Sequence, residues 1–156
     1  MKKLLVALLV VLPSASALAA VGTAQALQVV ETALSIEKQS DLDFGTGVQG
    51  DPSKTVDPDT SETAGNASFK VSGQPNKAYS ITLPDNDSVN MTTGAGSSST
   101  QIIAVNNFSS YPAQGANGLL SSSGEEMLYI GATRDALLPN QEAGNYSATF
   151  TVTVVY

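Results

Sequence analysis

Four pairs of closely spaced carboxylates, Asp41/Asp43, Asp57/Asp59, Asp85/Asp87 and Glu125/Glu126, are the side chains best placed to do chemistry in this 156-residue sequence. Two carboxyl groups flanking a glycosidic bond can act as acid and base, and clustered carboxylates can hold calcium. A helix-loop-helix calcium loop needs acids at alternate positions, a central glycine and a closing glutamate. None of the four pairs has that frame. Asp57-Pro58-Asp59 followed by Glu62 comes nearest, and it reads as a solvated acidic loop. With no histidine and no cysteine, the chain lacks the commonest general base, the commonest zinc ligands and the thiol nucleophile. A Ser-His-Asp triad cannot be built, and neither a nucleophile elbow nor a phosphate-cradling glycine motif occurs. The expectation is a protein that is not an enzyme, with no catalytic residue, no cofactor and no metal. Lys38 and Lys70, which could in principle enter an isopeptide bond, read as edge charges on strands.

Charge narrows the partners. Apart from Lys2 and Lys3, five basic residues (Lys38, Lys54, Lys70, Lys77, Arg134) face fourteen acidic ones. Nucleic acid and anionic membrane are poor partners for such a surface, because phosphate binding depends on cations it does not supply. The N-terminus reads as a secretory signal peptide: Met1-Lys2-Lys3, an apolar run from Leu4 to Leu12, then small residues. The run is far shorter than the roughly 20 residues of a membrane-spanning helix, so no membrane anchor is expected. Cleavage after Ala19 or after Ala26 fits the small-x-small rule, and the first lies closer to the apolar run. The expected location is outside the cytoplasm, at the cell surface or beyond, after transit through the periplasm. The remaining chain is one domain of ordinary size, able to fold around a core without disulfides.

The elements that would position any site are strands. Apolar and β-branched residues alternate with period two, turn residues separate the runs, and no stretch has a helical period. Val30, Thr32, Leu34 and Ile36 mark a first segment. Residues 47–65, rich in glycine, proline and acids, read as a long loop. Ala67, Phe69 and Val71 alternate in one segment; Tyr79, Ile81 and Leu83 alternate in the next. With the turn Gly73-Gln74-Pro75-Asn76 between them, the two are expected to pair as antiparallel neighbours. Val89–Thr92, Gln101–Phe108 and Met127–Thr133 follow, separated by loops rich in Ser, Gly and Asn. The last segment, Tyr146 to Tyr156, alternates throughout and is expected to be one strand spanning about 36 Å at ~3.3 Å per residue. Short strands at this spacing predict an all-β fold, an immunoglobulin-like antiparallel β-sandwich of about 7–9 strands.

Three stretches carry a resemblance: Leu42-Asp43-Phe44-Gly45, then Pro75-Asn76-Lys77-Ala78-Tyr79-Ser80-Ile81-Thr82-Leu83, and the ending Ala143-Gly144-Asn145-Tyr146 through Tyr156. With the leader, they resemble the secreted bacterial family known as domain of unknown function 4402. More distantly, the ending is similar to spore-coat-U-type and chaperone–usher fimbrial subunits, and Thr23-Ala24-Gln25-Ala26 to the common-pilus type. The resemblance implies a pilin-like sandwich that lacks a strand and is completed by strand addition. A periplasmic chaperone would fill the groove first, an outer-membrane usher would assemble the subunits, and other copies or related subunits would be the lasting partners. In this sequence the donor arm would be Val21, Thr23, Gln25, Leu27 and Val29. The groove would be bordered by Tyr146, Ala148, Phe150, Val152, Val154 and Tyr156. The division implied is a leader over 1–19 or 1–26, an arm and first strand over 20–36, and a sandwich over 37–156. The function implied is a structural or adhesive fimbrial subunit; a monomeric exported module binding a saccharide or matrix component is the alternative.

Overall fold

Ten residues, Glu125–Arg134, form the spine of the larger of two sheets in this computed structural model, which describes residues 20–156. The expected signal peptide, residues 1–19, lies outside them. In chain order the strands are β1 (Ser35–Ser40), β2 (Lys54–Val56), β3 (Ala67–Ser72), β4 (Ala78–Thr82), β5 (Val89–Thr92), β6 (Ile102–Tyr111), β7 (Gly115–Leu119), β8 (Glu125–Arg134) and β9 (Thr153–Val155). One sheet has the order β1-β3-β8-β6-β5, with β2 added on β8; the other has the order β7-β4-β9. Every pairing is antiparallel. Nine strands in two antiparallel sheets and no α-helix among the described residues make this the all-β sandwich that the period-two pattern predicts.

β8 carries its apolar residues on alternate positions, and Leu128, Ile130 and Ala132 all face the interior with almost no exposure. Each fully buried leucine or isoleucine contributes about 1.5–3 kcal/mol relative to leaving it in water. One edge of β8 is shared. β3 occupies it from Glu125 to Ile130, and β2 takes over from Ala132 to Arg134. Between them sits Gly131, where a Cβ would stand 2.2 Å from the Val56 carbonyl oxygen, so only glycine lets the chain cross there.

Two apolar clusters fill the space between the layers. One contains Val71, Tyr79, Ile81, Leu120, Leu128 and Ile130; the other contains Phe44, Val89, Val105 and Ala132. Leu42, Phe108 and Phe150 pack against both. The Phe150 ring lies 5.2 Å from that of Phe108 and 6.4 Å, edge-on, from that of Phe69. Such aromatic pairs add about 0.5–1.5 kcal/mol beyond burial.

The structure corrects four local expectations. β3 and β4 are not partners. β3 pairs with β1 and β8, β4 with β7 and β9, and Gly73–Lys77 carries the chain from one sheet to the other. Both alternating faces do point inward, but toward each other across the core, and a turn held by Gly73 N–H to Gly124 O (2.9 Å) and Asn76 N–H to Ser121 O (3.0 Å) makes the crossing. The first segment forms a strand only from Ser35, and the acidic loop 47–65 contains the short β2. The final segment is paired at Ser147, which bridges to Thr92, and again over β9; residues 148–152 belong to no strand pair.

Residues 20–30 belong to a different unit from Glu31–Tyr156. They have no strand or helix, and Val21, Leu27, Val29 and Val30 are each more than 80 % exposed.

Candidate functional site

After β1 the chain leaves its sheet edge and drops Leu42 and Phe44 into the interior, where Phe44 packs with Val89, Val105 and Ala132. The final segment passes over the same cluster, with Phe150 packed against it. Between these two stretches of backbone the layer holds no strand. The space is a groove whose deeper part has a volume of about 310 Å³ and is lined by Val89, Met91, Val105, Phe108, Ala148 and Phe150. A wider part of about 630 Å³ adjoins it through the shared residues Leu42, Phe44, Met91 and Tyr146, and reaches Gln49, Arg134, Gln141 and Asn145.

Both walls are fastened from outside, which keeps their facing edges apart. On one wall Asp43 N–H donates to Gly65 O (2.8 Å) and Lys54 Nζ to Phe44 O (2.7 Å). Val48 N–H donates to Asp51 Oδ2 at 2.9 Å. Arg134, whose side chain is 7 % exposed, holds this loop through Nη1, which donates to Pro52 O (3.1 Å) and also to the neighbouring Asp135 O (2.9 Å), with Asp51 4.0 Å from Nη2.

On the other wall, Gln141 is buried and its Nε2, with two hydrogens to give, lies 2.8 Å from Thr100 O, 3.2 Å from Ile102 O and 3.0 Å from Tyr146 Oη. The Tyr146 hydroxyl lies within donating distance of Thr100 O and Glu142 O, 2.8 and 2.7 Å away. These bonds pin residues 141–146 to the start of β6. Past Ser147 the fastening stops, and the open edge begins.

An unpaired backbone edge is normally covered by another strand, because its N–H and C=O groups form a template for pairing. The sequence-predicted residues sit at this groove in part. Tyr146, Ala148 and Phe150 line it; Phe150, Val152 and Val154 are half-buried on the inner face, and Ala148 is exposed. Tyr156 stands at the far end of the segment, 44 % exposed and bonded to Thr32 and Gln74. The arm residues Val21, Thr23, Gln25, Leu27 and Val29 fall in the separate N-terminal unit. The sequence did not mark the floor, Met91, Val105 and Phe108, or the fasteners Arg134 and Gln141. Met91 and Val105 had the inward phase of β5 and β6 as their signal and Arg134 its place as a lone arginine at the end of β8, whereas Phe108 lies out of phase with Val105, inside the register shift between Asn106 and Ser109. Among the described residues no three acidic side chains gather where a metal ion could be held; Asp59 bonds Thr60 N–H instead (2.6 Å).

Residues 34–156 match the family described as domain of unknown function (DUF4402). The chain belongs to this family. The match opens one residue before β1 and runs to the last residue, so the DUF4402 domain takes in both walls and the floor of the groove. No curated protein and no solved structure matches the chain.

Proposed function

We propose that this DUF4402 protein is a structural or adhesive subunit of a bacterial surface fimbria, exported after removal of its leader and assembled by donor-strand exchange, with no catalytic residue. The observation that carries the reading is the groove between residues 41–49 and 143–150, lined at its base by apolar side chains, with residues 148–152 unpaired. The occupant is the N-terminal arm of another copy, whose Val21, Thr23, Gln25, Leu27 and Val29 alternate as a strand must. Before assembly a periplasmic chaperone strand fills the same place, and an usher passes the subunit outward.

Chain ends support assembly in trans. Glu31, where the sandwich unit begins, lies beside the Gly73–Lys77 turn, through its bond to Lys77 Nζ (2.5 Å). The groove opens toward the other end of β1, beyond Ser40. A link that leaves one end of a subunit and enters the other builds an open, head-to-tail filament.

The test is the size of the exported protein before and after strong heating in denaturant. Oligomers that survive mild denaturation and separate on strong heating are expected, together with loss of those oligomers when Leu27 is changed to Asp. A monomer under all conditions would instead favour an exported binding module. For that second reading the specific observation is the polar end of the wider cavity, where Gln49, Glu142 and Asn145 surround a space large enough for a sugar ring.

A further inference from the structure

The chain enters the sandwich through contacts gathered on its last residue. The Tyr156 hydroxyl donates to Thr32 O at 2.9 Å and accepts from Gln74 N–H at 2.6 Å. Gln74 Oε1 accepts from Thr32 N–H at 3.2 Å. Lys77 Nζ pairs with Glu31 and stands 5.6 Å from the centre of the Tyr156 ring. Gly73 makes the room: a Cβ there would lie 2.2 Å from the Tyr156 hydroxyl. The exposed ion pair adds little by itself, so the hydrogen bonds carry the clamp.

Both backbone groups of Thr32 are therefore held by neighbours on the β3–β4 turn and at the C-terminus. For residues 20–30 to fill the groove of their own chain, they would have to turn back alongside β1. That reversal needs the backbone around Thr32 free to bend and to bond across the turn.

Resting on the strand-exchange reading above, we propose that Tyr156 is a positioning residue that pins Thr32 and so prevents the arm from closing into its own groove, reserving it for a second copy. This role differs from a place on the groove wall. Tyr156 acts at the root of the donor, through Thr32 and Gln74.

The test uses the full-length chain, its Tyr156→Phe variant, which keeps the ring and loses the hydroxyl, and Gln74→Ala, which removes the acceptor for Thr32 N–H. Each variant removes one of the two hydrogen bonds that hold the Thr32 backbone, so at matched concentration it should raise the monomer fraction about fivefold, the factor expected from losing one such bond. These monomers should melt at a higher temperature than monomers of the same variants carrying Leu27→Asp and Val29→Asp, because only an intact arm can fill the groove. Oligomer fractions equal to that of the unmodified chain would overturn the proposal. So would variant monomers that melt with their arm-disabled counterparts. An unmodified chain that forms no oligomer would overturn the strand-exchange reading itself, and this inference with it.

Discussion

Gly118 on β7 lies directly opposite Tyr79 on β4, and the phenol ring covers it so closely that a Cβ at 118 would stand 2.4 Å from the ring Cζ. Tyr79 is 2 % exposed, so the ring cannot swing out to make room. Gly118→Ala is expected to destabilise the fold by about 1–3 kcal/mol, the usual cost of overpacking a core. Urea denaturation of the two proteins checks this; an unchanged midpoint would mean that the ring and the glycine do not meet.

The Tyr79 hydroxyl is buried and finds no partner with hydrogen-bond geometry among the described residues. Burial first, and the nearby Glu126 carboxylate second, push its pKa well above that of an ordinary phenol. Glu126 itself accepts from Leu119 N–H at 2.8 Å, so its charge is held in place. A raised pKa in the folded state means that the unfolded chain loses this proton first. Stability from this group is intact below about pH 10 and falls above it, by up to about 1.4 kcal/mol per pH unit. Tyr79→Phe should flatten that alkaline fall. It should also raise stability near neutral pH by about 1 kcal/mol, since an unsatisfied buried hydroxyl is removed. Denaturation midpoints measured from pH 7 to 11 on both proteins decide it.

Phe150 joins the two core clusters and also lines the groove. Half-buried, it should cost about 2 kcal/mol on truncation to Ala, below the usual figure for a fully buried phenylalanine. Because the groove floor deepens with the loss, binding of a synthetic strand spanning residues 20–30 should weaken at least tenfold. Calorimetry with that peptide measures the second effect apart from the first.

Arg134 holds the loop after Phe44 through Pro52 O, and a second bond, to Asp135 O, fixes its own side chain. Arg134→Ala leaves two carbonyls and the Asp51 carboxylate without their cation, and should cost about 2 kcal/mol. Amide exchange should rise from residue 45 to residue 52 and remain unchanged on β3. Uniform exchange along the chain would mean that the guanidinium does not staple this wall.

The chemistry-bearing residues illustrate how far composition reaches. Lys38, read as an edge charge, does lie on the edge strand β1 and pairs with Asp41 (2.7 Å), whereas Lys70, read the same way, lies on β3 between β1 and β8 and pairs with Glu125 (2.6 Å) at the surface. Tyr79, Ile81 and Leu83 alternate inward as their spacing requires, because a pleated strand sends successive side chains to opposite faces. The same alternation could not say which strand lies beside which. β3 and β4 both point apolar faces inward, and that pattern is identical for neighbours in one sheet and for partners across two.

Tyr146 to Tyr156 shows the boundary most clearly. Period-two spacing, turn residues and the lack of histidine and cysteine determined an all-β chain, its inward faces and its resemblance to the DUF4402 family. Only the tertiary structure decided that this segment is paired at Ser147 and at β9 but not between, since pairing depends on where β4 ends and where the backbone after β1 runs. Side-chain alternation is a property of one strand, whereas an open edge is a property of the space beside it, and no residue in the strand itself records whether that space is filled.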